Sequence, residues 1–123
     1  MTKNTSSPEE LISLIIKGIE ELKGENIAML DLRNIENRVC DYFIICDGNS
    51  NTQVNAITSS IQKNVSKSIH EKPYQIEGTE NGEWVLMDYV NIVVHVFQKH
   101  KRTYYDLENL WGDANITEIE TRY

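Results

Sequence analysis

The chain has no apolar stretch approaching the roughly 20 residues needed to cross a bilayer. Its start lacks the basic and apolar regions of a secretory signal and the Arg-rich, acid-poor character of an organelle transit peptide. A cytoplasmic location without a membrane partner is the default expectation. Cysteine is scarce. Cys40 and Cys46 lie in or beside an apolar run without CxxC spacing, so buried free thiols are expected rather than a disulfide or metal site. Six positions apart, they are expected on one side of a single strand, unable to meet without a bend. The three histidines form no HxH, HxxxH or HExxH pattern with another ligand, so neither metal nor cofactor is expected.

Positive charge is also in short supply, with 12 Lys and Arg against 19 Asp and Glu, a net charge of −7. Counterion release on nucleic acid needs clustered cations, and the only tight cluster is Lys99-His100-Lys101-Arg102. A phosphate-dominated RNA binder is therefore disfavoured, and DNA is not an expected partner. An acidic chain suits a basic protein partner, because opposite fields speed encounter and help set orientation.

The 123 residues, 40% of them hydrophobic, suffice for one domain that folds without staples. Residues 8–112 carry its pattern, between an N-terminal tail (1–7) and a polar C-terminal tail (113–123). Ser7-Pro8-Glu9-Glu10 reads as a helix start, with a capping serine and a proline at the first helical position. Leu11, Ile12, Ile15, Ile16, Ile19 and Leu22 follow at helical spacing up to Gly24. Two strands come next, over 27–32 and 41–46. The second, Asp41-Tyr42-Phe43-Ile44-Ile45-Cys46, is almost continuously apolar and belongs in mid-sheet. After the turn Asp47-Gly48-Asn49-Ser50, a helix carries Val54, Ile57, Ile61, Val65 and Ile69 on one face until Lys72-Pro73 ends it. Tyr74–Glu77 is a short strand.

Residues 84–89 and 92–97 are rich in strand formers and separated only by Val90-Asn91, which predicts a hairpin. A two-residue loop pairs Tyr89 with Ile92, Met87 with Val94 and Val85 with Val96, an apolar face suited to the helices. The other face sets Trp84, Leu86 and Asp88 opposite Phe97, His95 and Val93. That mixture is covered either by a partner or by the chain's own last helix. The last helix spans Arg102–Trp111 and stops at Gly112, with Tyr104, Leu107 and Trp111 on a core-facing stripe.

Chemistry is sparse. Asp88 and His95 share a face, but no nucleophile accompanies them. The Gly48 turn has neither of the phosphate-cradling patterns and reads as a helix cap. The strand after it supplies only Glu77 where a nucleotidyltransferase needs paired carboxylates for Mg²⁺.

Three segments in this order resemble the RsfS/Iojap family: the run 41–50 (DYFIICDGNS), Trp84–Tyr89 continuing through Val93-Val94-His95-Val96-Phe97, and Arg102–Trp111. The resemblance covers about residues 8–114. It implies an α/β domain, a single mixed β-sheet with helices packed on it in the order α-β-β-α-β-β-β-α, similar to a nucleotidyltransferase core without catalytic carboxylates. It also implies a ribosomal silencing factor rather than an enzyme. Such a factor binds the large ribosomal subunit through universal ribosomal protein L fourteen and sterically blocks subunit joining, repressing translation when nutrients are scarce. The family's contact surface corresponds here to Trp84, Leu86, Asp88, Tyr89, Val90 and Asn91, with His95 beside them. One departure stands out. The family usually has Gly-Asp where this chain has Val90-Asn91, and valine resists the positive φ of a tight turn, which argues for a longer or differently shaped loop. Two other readings remain open: a homodimerising module using the mixed hairpin face, and a nucleotidyltransferase-like enzyme using Asp88, His95 and the Gly48 turn.

Overall fold

A computed structural model describes residues 7–121 and 123. The elements in chain order are α1 (Pro8–Glu21), β1 (Glu25–Asp31), β2 (Tyr42–Gly48), α2 (Asn51–Ile69) and β3 (Gln75–Glu77). They continue with β4 (Trp84–Asp88), β5 (Ile92–Gln98), α3 (Lys99–Tyr105), α4 (Leu107–Leu110) and β6 (Asn115–Glu118). The strands form one mixed sheet in the order β3-β4-β5-β2-β1-β6. Only β2 and β5 run parallel; the other neighbours are antiparallel. β2 is buried along its whole length near the sheet centre, as a continuous apolar run requires.

Helices cover both faces. α1 and α2 pack on the face that carries Tyr42, Ile44, Cys46, Val85, Met87 and Val94. The start of α1 follows its sequence signal, since the Ser7 hydroxyl accepts a hydrogen bond from the Glu10 N–H at 3.1 Å. At its end, Lys23 rather than Gly24 takes the left-handed conformation (φ 60). α2 closes earlier than Lys72-Pro73, at His70, which is left-handed with φ 58. The two helices approach closely at Gly18, where an added Cβ would stand 2.8 Å from Ile61 Cα. Backbone cannot swing aside as a side-chain tip can. Gly18→Ala is therefore expected to cost about 1–3 kcal/mol, despite alanine's better helix propensity, read as a lower urea midpoint.

The opposite face packs Leu30, Phe43, Ile45, Val93 and Phe97 beneath Leu107 and Trp111. Three expectations need correction here. The helix over 102–111 is two short helices, broken at Asp106 in the left-handed region (φ 50). Aspartate tolerates that conformation better than most residues, and its carboxylate accepts from Asn109 Nδ2 at 2.6 Å. The break turns Leu107 inward (7% exposed) and leaves Tyr104 77% exposed, so the expected continuous stripe does not form. The C-terminal segment 113–123 is not a loose tail, because Asn115–Glu118 pairs with β1 as an edge strand. Every side chain of β6 is exposed, so no alternation marked it. Of the expected N-terminal tail, residues 1–6 lie outside the described residues.

Cys40 and Cys46 are buried and free as expected, but not on one side. Cys40 precedes β2 and joins the Phe43 face, whereas Cys46 joins the face covered by α1 and α2. Strand alternation does not extend back to Cys40, since the chain bends before Tyr42. Burial pushes the Cys40 thiol up to about 11 and raises that of Cys46 as well, so both are poor nucleophiles.

Candidate functional site

The hairpin forms in the expected register. Trp84, Leu86 and Asp88 lie opposite Phe97, His95 and Val93, and Val85 and Met87 opposite Val96 and Val94. Tyr89 N–H donates to the Ile92 carbonyl at 2.9 Å, so the loop keeps two residues and is not lengthened. Val90 instead adopts φ 78, and the Asn91 N–H closes back on the Tyr89 carbonyl at 3.0 Å. This is a γ-turn of positive φ, an arrangement that is rare and strained. For a β-branched residue, the strain is of order 1–3 kcal/mol. The Asp88 carboxylate braces the turn by accepting from the Val90 N–H at 2.7 Å. The Val90 side chain itself is 64% exposed and gains little burial from the conformation it occupies.

The outer face of the hairpin divides into two parts. Toward the Trp84 end it is covered by the chain itself. Trp84 is half-buried, stacked on Phe97 at 4.9 Å between ring centroids and against Tyr105 at 4.5 Å. Its indole N–H donates to His95 Nδ1 at 3.0 Å. His95 is 4% exposed, and burial lowers its pKa to about 4, so the imidazole is neutral. With Nδ1 accepting, the proton resides on Nε2, and that buried atom has no hydrogen-bond partner among the described residues.

Toward the hairpin tip, α3 and α4 do not reach. A groove of about 540 Å³ opens there, lined by Leu86, Val93 and His95 and flanked by Val39, Tyr74 and Val90. Val39 precedes β2 and is 69% exposed; Tyr74 leads into β3 and is 78% exposed. Tyr74 is fixed against β4 by its N–H donating to the Asp88 carbonyl at 2.6 Å. The acidic residues of the lining are Glu77 and Asp88, and the lining includes no lysine or arginine. Tyr89 is buried, with its hydroxyl unpartnered among the described residues and its pKa raised by burial. Asn91 is exposed at the tip.

The structure thus gathers the seven expected residues on one hairpin, though not on one surface. Val90 and Asn91 are exposed, Trp84, Leu86 and Asp88 are half-buried, His95 is buried beneath the outer face, and Tyr89 belongs to the buried cluster on the α1/α2 face. Val39 and Tyr74 were missed. Their only signal was one of the two aliphatic residues, Ile35 and Val39, in the largely polar segment 33–40 and an aromatic next to Pro73.

The constellation of Asp88, His95 and the Gly48 turn is not assembled. Asp88 aligns with Val93 and thence Phe43, five residues along β2 from Gly48, a separation of roughly 17 Å at 3.3 Å per residue. The turn is a helix cap. Ser50 Oγ accepts from the Gln53 N–H at 3.0 Å, and the Asn49 N–H is taken by Gln53 Oε1 at 2.7 Å. The basic cluster is also engaged. Lys99 pairs with Glu25 at 2.6 Å, Lys101 lies 3.8 Å from Glu83, and Arg102 bridges Asp47 and Glu108. No group of His, Cys, Asp and Glu among the described residues is placed to hold a metal. No helix among them is long and apolar enough to cross a membrane.

Residues 5–122 match the family model described as "Ribosomal silencing factor during starvation" (RsfS). The ribosomal silencing factor RsfS of Halalkalibacterium halodurans is 40% identical over 114 residues, covering 93% of this chain and 96% of that protein. A crystal structure from Chromobacterium violaceum superposes with a TM-score of 0.81 at 34% identity, covering 94% of both chains. A more distant mouse relative, "Mitochondrial assembly of ribosomal large subunit protein 1", is 26% identical over 81% of this chain and 44% of its own length. The bacterial and mouse relatives carry names of ribosomal silencing and of ribosomal large-subunit assembly. The chain belongs to the RsfS family of ribosomal silencing factors.

Proposed function

We propose that this protein binds the large ribosomal subunit through universal ribosomal protein L fourteen and blocks subunit joining by steric occlusion, lowering translation under nutrient limitation in the cytoplasm. The observation that carries this reading is the uncovered half of the hairpin face. Leu86, Asp88 and Val90 line a groove that α3 and α4 leave open, and Asn91 is exposed at the hairpin tip. Family membership supplies the ribosome, and the mouse relative's name points to the large subunit. The net charge of −7 suits a basic ribosomal protein. Occlusion needs no chemical step; a 14.2 kDa body only has to overlap a bridging surface.

Within the site, Leu86 is the apolar anchor, Asp88 the acidic partner of a basic group, and Trp84 both an anchor and the clamp that orients His95. Because Trp84 also stacks inside the fold, Leu86→Ala is the cleaner probe. It is expected to weaken large-subunit binding by about 2 kcal/mol, some 30-fold, if the groove centre is a hot spot. The blocking step has its own test. Preincubating the protein with large subunits should lower the fraction joined after small subunits are added, more so than adding it to joined ribosomes. Full joining at saturating protein would overturn occlusion. A second copy of the chain on the same groove would compete with the ribosome, and joining would then be blocked less as protein self-association rises.

A further inference from the structure

We infer that the outward face of α2 docks on the phosphate backbone of RNA, with Lys63, Lys67 and Lys72 meeting phosphates around a serine-lined depression. This face lies on the opposite side of the sheet from the outer face of the hairpin. The contact is therefore additional to the surface proposed above and does not depend on it.

The first ground is charge. The chain carries 19 Asp and Glu, yet between Asn51 and Ile76 the one carboxylate is Glu71. Glu71 lies with Tyr89 and Val90 at a separate depression near the hairpin tip, which Lys72 also borders. Other cations of the chain are matched, since Arg33, Arg38, Lys99, Lys101 and Arg102 all form ion pairs. Lys63, Lys67 and Lys72 are exposed, and none forms an ion pair among the described residues. An acidic chain thus keeps a locally positive face, where the field favours an anionic partner.

The second ground is how the fold gathers these groups. Val54, Ile57, Ile61 and Val65 turn inward. Ser59, Gln62, Lys63 and Ser66, at i, i+3, i+4 and i+7, form a stripe on the other side of the helix. α2 ends at His70, left-handed at φ 58, and the chain turns back so that Lys72 borders the same stripe. Together these five residues line a depression of about 270 Å³ that no carboxylate enters. Lysine meets phosphate as a point charge, while Ser and Gln side chains donate to phosphate oxygens. Lys67, four residues after Lys63, continues the charge along the helix. A row of separate cations fits a repeating anion better than a single one. The chain's membership of a ribosomal silencing family makes RNA the polyanion within its reach. Spaced at 63, 67 and 72, the lysines form no cluster in the sequence, and so few charges give a weak contact that salt readily screens.

The test measures anisotropy of a short labelled RNA duplex of arbitrary sequence, titrated with the full chain between about 50 and 200 mM salt. Lys63→Gln/Lys72→Gln is compared with Lys17→Gln/Lys23→Gln, which removes the same charge from exposed positions on α1. Lys17 stands among Glu9, Glu20 and Asp31, so that pair controls for net charge. Glutamine keeps lysine's helix propensity, and circular dichroism should match the parent throughout. The α2 pair is expected to bind about tenfold more weakly at the lowest salt. Its slope of log affinity against log salt should be less negative by about two, one for each lysine. The α1 pair should follow the parent. Equal losses in the two pairs, no loss in the α2 pair, or no binding by the parent at the lowest salt would overturn the inference. Competition by polyglutamate as effective as that of unlabelled duplex, at equal charge concentration, would overturn RNA in favour of an acidic protein.

Discussion

Arg102→Met should lower the stability of the protein by about 3–5 kcal/mol, the typical cost of leaving one member of a buried ion pair alone. The Arg102 guanidinium lies 3.1 Å from Asp47 and 2.6 Å from Glu108, with side-chain exposures of 14%, 2% and 26% respectively. It also donates to the Asn26 carbonyl. One side chain thus ties α3 to β1, β2 and α4. Asp47 sits at the end of β2, and burial raises its pKa despite opposing help from Asn26 and Arg102. Without the guanidinium its carboxylate keeps, among the described residues, the Asn26 amide as hydrogen-bond donor, at 3.2 and 3.3 Å, with the Lys99 charge as a weaker influence. α4, which brings Leu107 onto the sheet, loses its anchor as well. Urea unfolding followed by circular dichroism reads the loss. Asp47→Asn in the same background should recover part of it, because the coupling is between these two groups. A single variant within 1 kcal/mol of the parent would show that the cluster is solvated rather than structural.

Acid should destabilise the protein through His95 well before most of its carboxylates are protonated. The folded protein holds this imidazole neutral with a pKa of about 4, against an ordinary value of 6.5, because it is buried. The unfolded chain therefore takes up a proton that the folded chain refuses. The contribution is fully present above pH 6.5 and is lost as pH falls toward 4, amounting to about 3 kcal/mol over that window. His95→Gln should flatten this part of the stability profile relative to the parent. The difference between parent and variant isolates the histidine from carboxylates that titrate nearby. Equal slopes between pH 6.5 and 4 would mean that His95 is protonated in the native state. That would require an acceptor for Nε2–H in place of the unpartnered atom.

The parts of this structure that were legible in the sequence are those where one local rule dominates. The β4–β5 register follows from alternation, since a slip by one residue would expose Val85 and Met87 and bury Asp88. The place of β2 follows from its unbroken apolar run, and the start of α1 from Ser7 and Pro8. Features set by contacts far apart in sequence were not legible. β6 is exposed on every side chain and exists because its backbone pairs with β1. The break at Asp106 is held by the Asn109 amide and leaves helical spacing intact on either side, so periodicity alone runs straight through it. At the site, the sequence located the strand pair but not the division of its outer face. Tyr105 covers Trp84, while Tyr74 and Val39 arrive at the open end from remote loops. The two-residue turn at Val90 was readable only as a conflict between a β-branched residue and tight geometry. The structure resolves it by accepting the positive φ and bracing it with Asp88.

The central claim is that the open half of the hairpin face binds the large ribosomal subunit. Its most direct test is sedimentation of the purified protein with isolated large subunits, isolated small subunits and joined ribosomes, with Leu86→Ala alongside after its folding has been confirmed. Comigration with large subunits alone, weakened about 30-fold in the variant, is the predicted result. Comigration with small subunits, or binding to large subunits that Leu86→Ala leaves unchanged, would contradict it.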